Sequence, residues 1–580
     1  LYPIYPYIEV VNNFSIYSNL ASSTLETYTM IPVGLRNAGL LIGGRATYID
    51  FIYPSLISGQ GTTVRKSPYI YDTNFKWDWK PNNKIEWYIN GFFGTDGMDL
   101  TRKYTYNFTK NGDEKYDLTE YDNSKYSYYH TIASTGFKIT PNDKIIIDFL
   151  SGYEFFYGDV FRSTDAINKL TSPNISWNDK IYSTTNIKTK NNSIQSRFDM
   201  DINLTDKIIF SWGNLFIYDI KDYDMKDDFY SITESKQTLT NYNYTNEFKN
   251  SNQLTSSVYF NFNFLIIPKK LEIETGCRLD HFIAIFSDKT LVTYPAIAPR
   301  FYLSYSPIKD FKYIEYLSLS LGSGLYSKNP SLSLYDSKNI SDKFSIEPQQ
   351  VFTNMTGLDL LFNFGLEIKI ESFYKFYFNR NYAIYNDLIS QYSDGYGHVT
   401  GVDFIIKQNV SKYIDGWISY SFNYTKFYNP NTDKKETMTN FNNYQILESE
   451  PTGQWFYPSY HRWHCFNIVI NIKPINFLTI SPSFGVASGI PKMIFNQTTY
   501  KYEYSDTERT LPSFPINLKI SFNCYFPRTK LKFEGYIAVE NFLLMPVLKG
   551  EAIYDSDRDV GRRDSGTDIF FPSVGIKLSY

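Results

Sequence analysis

Five histidines (His130, His281, His398, His461, His464) and three cysteines (Cys277, Cys465, Cys524) are the soft metal ligands in this sequence of 580 residues. The cysteines lie far apart and form no CxxC pair, which fits neither a zinc site nor a disulfide framework. His461 and His464 are the closest histidine pair. On a strand, residues i and i+2 share a face while i and i+3 do not, so these imidazoles are expected at an interface or loop base rather than on a metal. Asp555, Asp557, Asp559 and Asp564 gather oxygen atoms of the kind calcium takes. Arg558, Arg562 and Arg563 are interleaved with them, and an exposed loop paired with itself is the better reading. No GxSxG, HExxH, Walker loop or Ser/His/Asp arrangement joins a nucleophile to a base. The sequence therefore leads us to expect no catalytic residue, no metal, no cofactor and no enzyme.

Two groups remain as candidate ligand-binding residues. Tyr104, Tyr106, Tyr116 and Tyr121 belong to a tyrosine-rich, charged stretch from Tyr104 to Tyr129. Tyrosine offers a stacking face and a hydroxyl at low entropy cost, so these residues suit solute capture at a loop. An aromatic girdle or loop stiffening would use them equally well. The second group is Glu272, Glu274, Arg278 and Asp280 with Glu367, Lys369 and Glu371. Carboxylates so close could be read as acid/base pairs, but any water-filled barrel needs a polar inner face.

Periodicity supplies the elements that would hold these residues. Leu366, Ile368, Ile370, Tyr374, Phe376 and Phe378 share one face of an extended segment, and Glu367, Lys369, Glu371 and Lys375 share the other. Leu271, Ile273, Cys277 and Leu279 oppose Glu272, Glu274, Arg278 and Asp280 in the same way. Leu531, Phe533, Ile537 and Val539 oppose Lys532, Glu534 and Glu540. A soluble sandwich also alternates, but its strands run to about 5–6 residues, whereas these reach the ten or so that a tilted strand needs to cross a bilayer. No run approaches the ~20 apolar residues of a spanning helix; Phe264-Leu265-Ile266-Ile267 soon gives way to polar residues. The 18% aromatic content beside a mean hydropathy of -0.35 suits a wall with lipid on one side and water on the other. AT-rich coding raises the same residues, so composition alone decides nothing. The 57 Lys+Arg against 60 Asp+Glu point to no nucleic-acid partner.

Tight polar connectors recur near Gly34–Gly39, Pro81–Asn83, Pro141–Asp143, Thr205–Asp206, Pro268–Lys270, Pro307–Asp310, Phe362–Asn363, Asp415–Gly416, Lys473–Pro474 and Pro527–Thr529. Ten turns joining strands in pairs, with one strand more at each end, predict about 22 strands. Between the pairs lie long polar stretches, 158–191, 221–253, 428–460 and 541–569, expected as loops. The fold class is thus all-β: a transmembrane antiparallel barrel with short periplasmic turns and long extracellular loops. The last strand alternates through Val574, Ile576 and Leu578 to an aromatic Tyr580.

Several stretches, in order, resemble the barrel of the TonB-dependent outer-membrane receptors, in particular the branch with a carboxypeptidase-regulatory-like domain before its plug. They are Gly276-Cys277-Arg278-Leu279-Asp280, Ala298-Pro299-Arg300-Phe301, Gly322-Ser323-Gly324-Leu325-Tyr326 with Asn329-Pro330-Ser331-Leu332, and Gly397-His398-Val399-Thr400-Gly401-Val402-Asp403. Gly416-Trp417-Ile418-Ser419-Tyr420-Ser421, Ser488-Gly489-Ile490-Pro491, Val539-Glu540-Asn541-Phe542 and Phe571-Pro572-Ser573-Val574-Gly575 follow. The resemblance implies a bacterial outer-membrane location and energy-coupled uptake of a scarce solute such as an iron chelate, cobalamin or an oligosaccharide. Its implied partners are the outer-membrane lipid bilayer, an upstream plug, a TonB-type coupling complex and a surface lipoprotein over the loops. The motifs start with the first barrel strand, so residues 1–7 are expected to connect from a plug and 8–580 to form the barrel. The non-Met start and a first strand near Ile8–Phe14 suggest the same. A passive porin, an adhesin or a docking platform is the alternative.

Overall fold

The computed structural model describes residues 15–21, 24–32, 37–47, 62–110, 114–171, 176–233, 238–285, 290–293, 295–329, 347–385, 389–409, 412–430, 453–496, 501–543, 548–552, 563–566 and 571–579. The chain opens with β1 (Ser15–Ala21), β2 (Thr24–Pro32), β3 (Ala38–Thr47) and β4 (Thr62–Asn82). Six strands of 26 to 30 residues follow: β5 (Ile85–Lys110), β6 (Glu114–Asn142), β7 (Ile145–Thr171), β8 (Ser176–Thr205), β9 (Ile208–Thr233) and β10 (Thr238–Ile267). Next come β11 (Leu271–Ile285), β12 (Ala296–Phe311), β13 (Ile314–Lys328), β14 (Gln349–Phe362), β15 (Leu366–Tyr385), β16 (Ile389–Gln408) and β17 (Ile414–Tyr428). The last five are β18 (His464–Ile475), β19 (Leu478–Ala487), β20 (Ile516–Phe526), β21 (Leu531–Glu540) and β22 (Phe571–Ser579).

One sheet of 24 strands contains them all; two of these, Thr290–Val292 and Trp455–Phe456, only extend β11 and β17, which leaves 22 in a closed ring. Every barrel strand is antiparallel to its neighbour. The ring shuts where Tyr17–Ala21 of β1 meets Ser579–Gly575 of β22 in five facing pairs. In lipid an unpaired backbone amide or carbonyl costs several kcal/mol, so a sheet without edges is what lets these strands span without helices.

The expected turns join consecutive strands, three of them displaced; the one near Gly34–Gly39 lies largely outside the described residues. Pro307 lies inside β12, where the register slips between Tyr305 and Ile308, and the turn follows at Lys312–Tyr313. Pro474 lies inside β18 in a second slip, between Ile472 and Ile475, with the turn at Asn476–Phe477. A bulge leaves one residue outside the ladder, so it can hold a proline that has no N–H to give. Asp415 and Gly416 are paired within β17, opposite Asn471 and Ile470, and the turn precedes them between Gln408 and Ile414. The expected first strand at Ile8–Phe14, and Tyr580, lie outside the described residues.

Side chains alternate across the wall as expected. Val574, Ile576 and Leu578 point outward on β22, as do Ile370, Tyr374 and Phe376 on β15. Aromatic residues border this outer face. At the turn end, Trp77 and Trp87 meet edge to face at 4.9 Å and Trp87 stacks on Phe137 at 5.6 Å. Farther along, Tyr129 of β6 faces Tyr157 of β7 at 6.1 Å. From Phe137 to Tyr129 is eight residue steps; at about 3.3 Å each and ~40° tilt they give an apolar band of roughly 20 Å, near the ~25 Å of outer-membrane barrels.

The stretches expected as long loops are, over much of their length, strand. Residues 158–171 pair with 176–189, 221–233 pair with 238–251, and the Tyr104–Tyr129 stretch lies on β5 and β6. Beyond Tyr129, β6 continues for fourteen further paired residues to Lys115, roughly 45 Å of strand. Here the alternation changes sign. Outward positions become polar: Thr101 donates a hydrogen bond to Asn123 (2.7 Å), which donates to Ser163 (3.0 Å), a lateral chain across three strands. One inward row becomes apolar, with Met98, Tyr126, Val160, Ile187 and Met225 facing one another in register. The lipid boundary therefore lies near Tyr129 and Tyr157, and β5–β10 stand in water beyond it. In native membranes, a water-soluble maleimide should label Thr101→Cys and Lys125→Cys but leave Ile89→Cys and Phe149→Cys unlabelled; equal labelling of the four would place the boundary elsewhere.

Candidate functional site

Inside the barrel a recess of about 910 Å³ runs along the wall from β7 to β15. Of the sequence-predicted residues, Glu274, Arg278 and Glu371 line it together with Arg197, Asp199, Tyr259, Arg300 and Tyr302. Arg197 and Tyr259 both donate to Asp199. Glu274 accepts from Asn261 at 2.8 Å. Arg300 lies over the Tyr326 ring at 4.5 Å.

The other predicted inner residues sit above and below the recess. Asp280 accepts from Ser257 (2.6 Å), Ser327 (2.6 Å) and Arg278 (2.7 Å), joining β10, β11 and β13. Glu272 accepts from Asn263. Lys369 pairs with Glu367 at 2.7 Å and with Asp359 at 3.5 Å. This wall is thus largely occupied with itself. Glu272, Asp280, Glu367 and Lys369 brace neighbouring strands, while Arg197, Arg300 and Glu371 keep polar atoms turned to the recess. Tyr104, Tyr106, Tyr116 and Tyr121 are far from it, on β5 and β6 beyond the lipid boundary. Tyr121 takes an outward register position opposite Lys103, whose ammonium lies 5.5 Å from its ring.

Sequence reading missed a lateral brace that occurs twice. Tyr88 of β5 lies across Gly136 of β6 and donates to Asp148 of β7 at 3.3 Å. Tyr259 of β10 lies across Gly213 of β9 and donates to Asp199 of β8. A side chain on the middle residue would block the ring: a Cβ on Gly136 would fall 2.3 Å from the Tyr88 ring, and one on Gly213 2.5 Å from the Tyr259 ring. Only glycine leaves the ring free to reach two strands away. Gly213→Val should lower barrel stability by about 1–3 kcal/mol through overpacking. In Tyr259→Ala the same change should cost far less. Additive losses in a thermal melt of the two variants and their double would refute the brace.

A second cluster lies at the end of the barrel away from the turns. His461 is 2% exposed, stacks on Tyr457 at 4.7 Å and meets Trp463 edge-on at 4.9 Å. Arg509 donates to His461 Nδ1 at 2.9 Å, so the ring proton is on Nε2, which donates to the Asn423 carbonyl at 3.2 Å. His464 turns elsewhere, its Nδ1 2.9 Å from the Tyr420 hydroxyl. The two imidazoles do not converge, and among the described residues no three His, Cys, Asp or Glu side chains are placed to hold a metal. Residues 553–562, with three of the loop aspartates, lie outside the description.

Burial, then the adjacent Arg509, holds the His461 pKa down at about 4 against the usual 6.5. Undocked chain takes up a proton below 6.5 that docked His461 refuses until about 4. Docking of this segment is therefore strongest above that window and weakens as pH falls through it. Amide exchange at Tyr457–Trp463 should accelerate over this range beyond the intrinsic pH effect, and the excess should vanish in His461→Gln.

No family model matches this sequence, and no curated protein resembles it closely enough to count. Solved structures do. BauA, the ferric preacinetobactin receptor from Acinetobacter baumannii, superposes with a TM-score of 0.60 at 10% identity over 98% of this chain and 79% of its own. The ferric-catecholate import receptor Fiu from K12 E. coli gives 0.63 at 11% over 99% and 82%. The copper transporter OprC gives 0.61 at 9% over 98% and 79%. The fold is the barrel of the TonB-dependent receptors. In this barrel the recess lies on the inner wall.

Proposed function

We propose that this chain is the barrel of an outer-membrane receptor that takes up a scarce solute in an energy-coupled way. The carrying observation is the closed 22-strand ring with a charged, braced inner wall. A lumen of this size is held shut by a plug in outer-membrane transporters. In this reading residues 8–580 are the barrel, 1–7 lead in from a plug, the turns face the periplasm and β5–β10 rise outside the cell. Catalysis plays no part in it. A TonB-type complex pulls on the plug, and the solute passes the recess at Arg197, Arg300 and Glu371. The solved relatives support this class of function: they are a ferric preacinetobactin receptor, a ferric-catecholate import receptor and a copper transporter.

Uptake by cells making the native protein separates this reading from a passive porin, an adhesin or a docking platform. With the expected mechanism, deleting the gene abolishes uptake of one nutrient, and collapsing the proton-motive force stops it within minutes. Uptake that persists in uncoupled cells identifies a passive pore; no change in any nutrient's uptake on deletion removes the transporter reading.

A further inference from the structure

We propose that the turn rim is an uneven lipid contact. The turns of β12–β19 sit within the phospholipid headgroups of the periplasmic leaflet, while those of β4–β11 stand clear of them in water. This seat rests on the barrel's place in a membrane and not on what the barrel transports.

The tips fall into two kinds. Those of β4–β5, β6–β7, β8–β9 and β10–β11 are Asn83-Lys84, Asp143-Lys144, Asp206-Lys207 and Pro268-Lys269-Lys270. Each of the next four carries an aromatic ring, Tyr313, Phe364, Tyr413 and Phe477, all between 49% and 65% exposed. Large rings uncovered along one arc of a rim mark a surface that something apolar meets. Among the described residues none of these four tips holds a carboxylate. Two hold a lysine instead: the Lys312 ammonium lies 5.1 Å from the Tyr313 ring and that of Lys412 5.0 Å from Tyr413. Tyrosine beside lysine suits a headgroup layer, where the ring lies at the ester level and the ammonium meets phosphate.

Continuity and height point to lipid rather than to a protein. Phe364 stacks on Phe362 at 5.2 Å, and Phe362 faces Ile314 on the outward side of β14. The lipid-facing wall thus reaches this tip with no polar collar between. Higher on the same arc, Ile368, Ile406, Ile418 and Ile468 face one another in one outward register row. On the outward face of β15 the next ring is Tyr374. From Phe364 to Tyr374 is ten residue steps, which at about 3.3 Å each and ~40° tilt give roughly 25 Å, the height of the apolar band itself. The lower edge of the band therefore falls on the tip. On β6 it does not: Phe137 marks that edge, and Asp143 lies six steps farther on, roughly 15 Å below it. A level membrane surface can meet both edges only if the two sets of turns end at different depths.

Nitroxide labels read that depth. The full chain, carrying Cys277→Ala, Cys465→Ala and Cys524→Ala, is to be inserted into phosphatidylethanolamine–phosphatidylglycerol vesicles with one label, at Phe364→Cys, Tyr413→Cys, Lys144→Cys or Lys207→Cys. Heat-modifiable migration checks that each variant is folded, and Phe477→Cys replaces either of the first two that is not. Collisions with oxygen, relative to those with a water-soluble nickel chelate, should be severalfold more frequent at the first two positions than at the last two. Adding Tyr313→Asp and Phe477→Asp to labelled Phe364→Cys should lower its ratio towards that of Lys144→Cys. The proposal fails if all four labels meet the chelate equally, which would leave the aromatic arc to a protein partner, or if all four are equally shielded, which would mean a level seat. A chain that does not enter vesicles overturns this seat together with the membrane reading. Insertion with the expected depths but no cellular uptake would sink the transporter reading alone.

Discussion

A peptide group in hydrocarbon has no water to turn to, and the organisation of this chain follows from that. Each of the 22 ring strands gives its amides and carbonyls to two neighbours, and β1 and β22 complete the circuit. Once the ring is closed, the side chains are free to differ on its two faces. Outside, they need only be apolar or, at the borders, aromatic. Inside, water permits charge, and the wall fills with pairs such as Lys369–Glu367 and Arg278–Asp280 that tie one strand to the next. Exposed pairs of this kind contribute little each; their value lies in fixing which side chains, among the described residues, are left out of ion pairs and turned to the lumen, as Arg300 and Glu371 are.

The same requirement explains why β5–β10 can outgrow the membrane. A ladder already complete in lipid continues into water without further cost to its hydrogen bonds, while the partition of side chains must reverse. Thr101, Asn123 and Ser163 outside and Met98, Tyr126 and Val160 inside record that reversal. The height at which it occurs marks the membrane surface from within the sequence.

Much of this was legible beforehand, because alternation and turn chemistry are local. The closed barrel, its 22 strands and the inward set from Glu272 to Asp280 follow from residues no more than a few positions apart. What escaped was either non-local or inverted. The brace from Tyr259 over Gly213 to Asp199 joins residues 60 apart in sequence, and register cannot be read from one strand. Tyr126, Tyr128 and their neighbours alternate as strands do, but with charge outward, so a reading tuned to a greasy exterior takes them for loops. Pro307 and Pro474 misled by a residue or several, since proline marks a bulge as readily as a turn.

The closing joint has a mechanical meaning of its own. Among the described residues β7 and β8 are held by 27 facing pairs, whereas β1 and β22 share five. A hoop under tension carries the same load through every joint, so the one with fewest rungs sets the bursting strength of the whole. In a cylinder that forms only when its first and last strands find each other, that short zip is both the final stitch of assembly and the first to part.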